Sequence, residues 1–244
     1  MIISHEHPEY IKRRGSMNGP GRWNGAFYYS QEIVNNIIPN VKTDRNWITI
    51  NVPGVACDHS VVFIHNNKTP EAYGWLSKYK DLVLVCGVPE TCEKVSGLGK
   101  AVYLPLSIDV KEVQQHKGEK TRGAAYVGRP AKRSGISFPP GTDAVEGLPR
   151  GKMLDEIARY REVYAVGRCA IEARALGCDI LPYDPRYPDP SRWKVIDNLE
   201  AAAMLQEILD GIDGRKEEKP RPAKKPAAKK KKGTTKGTTK GTTK

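Results

Sequence analysis

The chain has little of what marks several common protein classes. Its cysteines number five (Cys57, Cys86, Cys92, Cys169 and Cys178) and include no Cys-x-x-Cys pair. An odd count without metal-ligand spacing points to reduced thiols in a cytoplasmic protein and argues against a disulfide framework or structural zinc. No apolar run approaches the roughly 18–20 residues of a membrane span. The first residues, Met1-Ile2-Ile3-Ser4-His5, lack the architecture of a secretory signal. Gly-x-Ser-x-Gly, the P-loop lysine motif and Gly-x-Gly-x-x-Gly are all missing. Their absence argues against a hydrolase of that type, a P-loop nucleotidase and a dinucleotide-dependent dehydrogenase. His5 and His7 flank Glu6, but two histidines without further ligands make a weak metal site, and none is expected.

Charge is abundant, and it is badly distributed. Residues 215–244 hold 13 Lys and Arg against 2 Asp and Glu, a net of +11 out of +12 for the whole chain. The remaining 214 residues carry 27 basic and 26 acidic side chains, so the high isoelectric point describes the tail and not the rest. The tail has no aromatic or large aliphatic residue, is broken by Pro220, Pro222 and Pro226, and ends in three GTTK repeats. Such a composition cannot offset the entropy of ordering, and disorder is expected. It resembles, in composition alone, the tails of linker histones and of some bacterial and phage DNA-associated proteins. Nucleic acid or another polyanion is the expected partner, the alternative being a solubilising tail. If about eight lysines met phosphates on duplex DNA, log K would fall with log salt at a slope of about −7. No base preference is expected.

Residues 1–214 show short apolar runs alternating with helical stretches. Strands are predicted at 1–4, 47–52, 60–65, 81–86 and 101–105, with helices at 29–38, 70–79 and 89–95. VVFIH and LVLVC are apolar throughout, as in parallel strands buried on both faces. A polar stretch, KEVQQHKGEKTR at 111–122, precedes a second block. That block is predicted to hold a strand at 123–128, a Gly/Pro-rich loop, a helix at 152–160, a strand at 162–166, a helix at 168–176 and a strand at 179–183. A last helix at 199–212 would be introduced by Asp197 and Glu200 as a capping box. The expected fold is α/β, with two small Rossmann-like domains at 1–110 and 123–214, a linker at 111–122 and the tail.

The stretch EVYAVGRCAIEARALGCDILPYD, 162–184, is the richest in chemistry. A strand ends, Gly167 turns, and a helix begins at Arg168, which would leave the N–H groups of Gly167, Arg168 and Cys169 free for an anion such as a phosphate. Glu172 on the same helix could accept both hydroxyls of a ribose. It could equally be a surface glutamate favoured near a helix N-terminus by electrostatics alone.

GRCAIEARALGCDIL resembles the donor-binding motif of GT-B type glycosyltransferases, which have two Rossmann-like domains and bind the ribose of a nucleotide sugar through a glutamate; Glu172 stands at that position. AYVGRPAKR, 125–133, resembles the family's strand ending in Gly-Arg with a lysine shortly after, which implies that Arg129 and Lys132 (or Arg133) hold the donor diphosphate. NGPGRWNGAF, 18–27, corresponds to the acceptor-side glycine loop, with Gly19 and Gly21. The strand ending in His65, followed by a helix and DLVLVCGVPET, resembles the stretch whose histidine lies near the donor sugar. The resemblance therefore implies a metal-independent glycosyltransferase that needs no cofactor beyond the nucleoside-diphosphate sugar as co-substrate.

The pattern is incomplete. Many retaining members carry a second glutamate eight positions before the ribose-binding one, where this chain has Tyr164, and the chain is short for the family. If the resemblance holds, a compact phage or bacterial member is one explanation and a non-catalytic DNA-associated relative is another. The expected setting is the cytoplasm, with the tail favouring the nucleoid and DNA or a phage or bacterial protein as acceptor.

Overall fold

The computed structural model describes residues 1–4, 6–7, 11, 25–49, 55–64 and 70–214. The lysine-rich tail lies outside them.

The chain forms two all-parallel sheets, and the expected α/β architecture of two Rossmann-like units is present. The first sheet has the order β1 (Ile2–Ile3), β2 (Asn46–Ile48), β3 (Ser60–Ile64), β4 (Leu82–Cys86) and β5 (Lys100–Tyr103). Every residue of β3 and β4 is buried, as their unbroken apolar runs require of central parallel strands. Val61, Phe63, Val83 and Val85 face one way, against Ile33 and Ile37. These follow helix α1 (Gly25–Glu32) in a π-helical turn, Ile33–Ile37, where a straight helix over 29–38 is predicted. Val62, Ile64, Leu82, Leu84 and Cys86 face the other way, against Tyr73, Leu76 and Val95. Tyr73 and Leu76 belong to a 3-10 helix, Pro70–Lys78, and Val95 ends α2 (Pro89–Val95).

The polar stretch after the first unit is not wholly a linker. It opens with helix α3 (Val110–Gln114), capped by the Asp109 side chain on the Glu112 amide, and Val113 is buried in the second core. The second sheet runs β7-β6-β8-β9: β6 (Arg122–Val127), β7 (Asp143–Val145), β8 (Tyr160–Tyr164) and β9 (Asp179–Leu181). Between them lie α4 (Pro130–Arg133), α5 (Arg150–Ile157) and α6 (Arg168–Ala175). Ala125, Val127, Val145, Val163 and Ala165 bury against Leu154 and Ile157 of α5 and Ala170, Ile171 and Ala173 of α6.

The last helix, α7 (Asn198–Asp213), is reckoned with the second unit by sequence order but packs on the first sheet. Ala201, Ala202, Leu205 and Leu209 join the core around Val61, Phe63, Val83 and Val85. Asp197 caps it by accepting from the Leu199 amide. Arg45 staples its far end, bonding Asp213 Oδ1 at 2.7 Å and Asp81 Oδ1 at 3.1 Å. The two crossings between the units run side by side: the Ile108 amide donates to Ile196 O and the Asn198 amide to Ile108 O, both at 3.1 Å. Among the described residues no helix is long and apolar enough to cross a membrane.

Candidate functional site

The order of the second sheet defines where a ligand can sit. From β6 the chain moves outward to β7, then returns across β6 to β8 on the other side. Connections diverge at such a switch point and leave a crevice outside the carboxyl ends of the strands. The segments that follow β6 and β8 are the two singled out by sequence, 128–133 and 165–172. Neighbouring strands in one parallel sheet therefore bring Arg129 and Lys132 to the same edge as Gly167, Arg168 and Cys169.

Local sequence shapes both turns. Gly167 has φ 64° and ψ −138°, open to glycine and strained for other residues, and it delivers the chain straight into α6. Tyr126 curls back from β6 so that its hydroxyl donates to Arg129 O at 2.8 Å. A side chain at Gly128 would stand 2.5 Å from that hydroxyl, so the curl needs glycine there.

Arg129 and Lys132 are exposed, and among the described residues neither forms an ion pair; Arg133 is committed to Glu146, with Nε 2.7 Å from Oε1. Lys132, Arg168 and Arg129 all act electrostatically on Cys169. Burial outweighs them and pushes the Cys169 thiol up to about 11, which favours the protonated form at neutral pH. Behind it stand Tyr126, Tyr164 and Tyr183, with Phe138 5.1–5.9 Å from all three ring centroids. Asp184 is 6% exposed and held by Arg186 at 2.6 Å; that hydrogen bond keeps its carboxyl below the usual range.

Glu172 is in a different situation from Arg129 and Lys132. It is 2% exposed, and its Oε1 accepts from Arg168 Nε at 3.0 Å and from Arg150 Nη2 and Nε at 3.2 and 3.3 Å. Glu32, the last residue of α1 in the first unit, bonds Arg168 Nη2 and lies 3.5 Å from Arg150 Nη2. Its other oxygen accepts from Asn198 Nδ2 at 3.0 Å, and Asn198 Oδ1 accepts from Ser107 at 2.8 Å. Arg150 Nη1 also bonds Glu112. Burial opposes the charge on Arg150, yet the carboxylates of Glu172, Glu112 and Glu32 hold its pKa above the ordinary value. Two guanidinium groups and three carboxylates thus tie α1, α3, α5, α6 and the start of α7 together between the units. Arg168 Nη1 is buried and has no hydrogen-bond partner among the described residues.

Around Gly87, Leu106, Ile171 and Trp193, the units close over a space of about 10 Å3, one water at most.

Of the residues expected from sequence, Arg129, Lys132, Gly167, Arg168 and Cys169 converge on the crevice. Arg133 is turned to Glu146, and Glu172 lies beneath the arginines. His65, Gly19 and Gly21 lie outside the described residues; β3, which His65 follows, ends at the buried Ile64. Sequence reasoning missed Glu32, Arg150, Asn198, Asp184 and the aromatic group around Phe138. Asp184 has its partner Arg186 two positions on, but the others carry no local signal, since their partners are far away along the chain. No group of three or more metal-ligating side chains occurs among the described residues. No protein-family model matches the chain, and no curated protein resembles it closely enough to count as a relative.

Proposed function

We propose that the chain is a small glycosyltransferase that takes a sugar from a nucleoside diphosphate bound at the crevice outside β6 and β8. The observation that carries this reading is the pair of exposed cations, Arg129 and Lys132, which form no ion pair among the described residues, beside the start of α6 at a switch point of a parallel sheet. The nucleoside diphosphate gains charge as its bond to the anomeric carbon breaks and an acceptor oxygen or nitrogen forms the new one. Fixed cations and helix N–H groups at that place lower the barrier. His65 is the residue proposed to lie near the reacting centre. No metal enters this proposal. The tail, residues 215–244, would hold the enzyme on DNA or another polyanion in the cytoplasm and raise the local concentration of an acceptor there.

The rival reading is a non-catalytic polyanion-binding protein, and one observation favours it: the Glu172 carboxylate, offered by sequence for the ribose, is already engaged by two arginines. Thermal stabilisation by uridine and guanosine diphosphates separates the two. A ligand at about 100 times its Kd adds about 2.7 kcal/mol. The stabilisation is expected to disappear in Arg129→Ala/Lys132→Ala, whose side chains are exposed and form no hydrogen bond or ion pair among the described residues. No stabilisation of the wild type by any nucleoside diphosphate would leave the binding-protein reading standing.

A further inference from the structure

The ionic cluster between the units has a feature that a purely structural cluster does not need. Its two cations are the first residues of two helices, Arg150 of α5 and Arg168 of α6, each eight residues long. Helix N-termini carry roughly half a positive charge each, so positive potential converges here from four sources. Two of the three carboxylates that answer it, Glu112 and Glu172, come from the segment entering the second unit and from the second unit itself. The third, Glu32, reaches in from the first. Even so, Arg168 Nη1 is left buried without an acceptor among the described residues, on a side chain 10% exposed. A buried guanidinium N–H without a partner is costly, and native structures rarely leave one unless something else fills the place.

Arg168 also belongs to the segment that opens onto the crevice, and its charge is felt at Cys169 together with those of Arg129 and Lys132. The inter-unit gap near Ile171 is closed to about 10 Å3. A phosphate that takes Arg168 Nη2 must displace Glu32, which already bonds it.

We propose that Arg168, with Arg150 behind it, is a phosphate-binding pair, and that Glu32 occupies it as a built-in anion until a phosphate displaces it. The proposal rests on the nucleoside-diphosphate reading for its ligand. Carboxylate and phosphate both accept from guanidinium in a planar, two-bond fashion, and so one can replace the other. A phosphate has three oxygens to offer, one more than Glu32, and can satisfy Nη1 as well. Glu32 thus sets how strongly the pair resists an incoming phosphate, and Arg168 reads the phosphate.

The test is calorimetric binding of inorganic pyrophosphate and of uridine and guanosine diphosphates to the full chain as wild type, Glu32→Gln and Arg168→Lys. Glu32→Gln keeps the shape and can still bond Asn198 but removes the competing charge. It is expected to bind these ligands about tenfold more tightly while being less stable in urea, a combination that simple damage to the fold would not produce. Arg168→Lys keeps the charge but loses the fork, and is expected to bind at least tenfold more weakly in either Glu32 background. Wild-type binding that Glu32→Gln leaves equal or weakens would overturn the latch and spare the donor reading. Tighter binding of pyrophosphate alone, with no nucleoside diphosphate bound, would uphold the latch and sink the donor reading. Binding of none of the three ligands by either protein would dispose of both.

Discussion

Truncating Glu172 to alanine distinguishes a structural glutamate from a ligand-binding one. The side chain is 3% exposed, and its Oε1 takes hydrogen bonds from Arg168 and Arg150, whose side chains are 10% and 13% exposed. Removing one partner of a buried ion pair costs about 3–5 kcal/mol, because the remaining charge is stranded. Glu32 remains to share both guanidinium groups, and so the lower end, about 3 kcal/mol, is expected. For a chain with about two hundred ordered residues that corresponds to a fall in Tm of roughly 6–12 °C. Glu172→Gln keeps an acceptor and loses the charge, and is expected to cost about 1–2 kcal/mol. Urea unfolding followed by far-ultraviolet circular dichroism measures both, with equal m-values confirming that the unfolded states compare. An alanine variant within about 0.5 kcal/mol of wild type, the ordinary range for a surface position, would refute the structural role. The carboxylate would then be free to meet a ribose, as its position in the sequence suggests.

Two further outcomes follow from the fold. Arg45→Ala should destabilise the chain by about 3 kcal/mol in the same urea assay, since it strands the half-buried Asp213 carboxylate and frees the end of α7; Arg45→Lys should recover only part of the loss. Stability should also fall in acid with a defined sign. Arg186 holds the Asp184 carboxyl, and His59 with Arg45 the Asp81 carboxyl, below their unfolded values. Their stabilisation is complete above the unfolded carboxyl pKa of about 3.9 and is lost as pH falls through the lower folded values. Unfolding free energies at pH 7, 5, 4 and 3 should therefore show little change from these groups down to about pH 5 and a decline below about 4. Asp184→Asn should flatten part of that decline; an unchanged slope would show that the Arg186 contact contributes nothing.

Local patterning made some of the fold legible. The apolar residues VVFI and LVLVC lie in β3 and β4, which are wholly buried, because a parallel strand covered on both faces favours apolar residues. The Gly167 turn, α6 and β9 follow from a strand, a glycine and a helix in immediate succession. Other elements were hidden. β7 is three residues inside a Gly/Pro-rich loop, and it pairs with β6 through backbone bonds that no side-chain pattern announces. α3 reads as polar linker because, of its five residues, only Val113 is buried. The helix predicted at 70–79 exists as a 3-10 helix, with Gly74, a poor α-helix former, at its centre.

The amino-acid sequence alone determined that two runs of parallel strands would form and that a helix would start at Arg168 beside cations. These depend on periodicity, glycine and capping, which act over a few residues. Only the tertiary structure decided the rest. It set the order β7-β6-β8-β9 that brings Arg129 and Lys132 to Cys169, and it docked α7 back on the first sheet. It also placed Glu32, Glu112, Arg150, Arg168, Glu172 and Asn198 in one buried network. Charge interactions depend on distance in space, and side chains up to 166 positions apart give no sign of one another until the chain is folded.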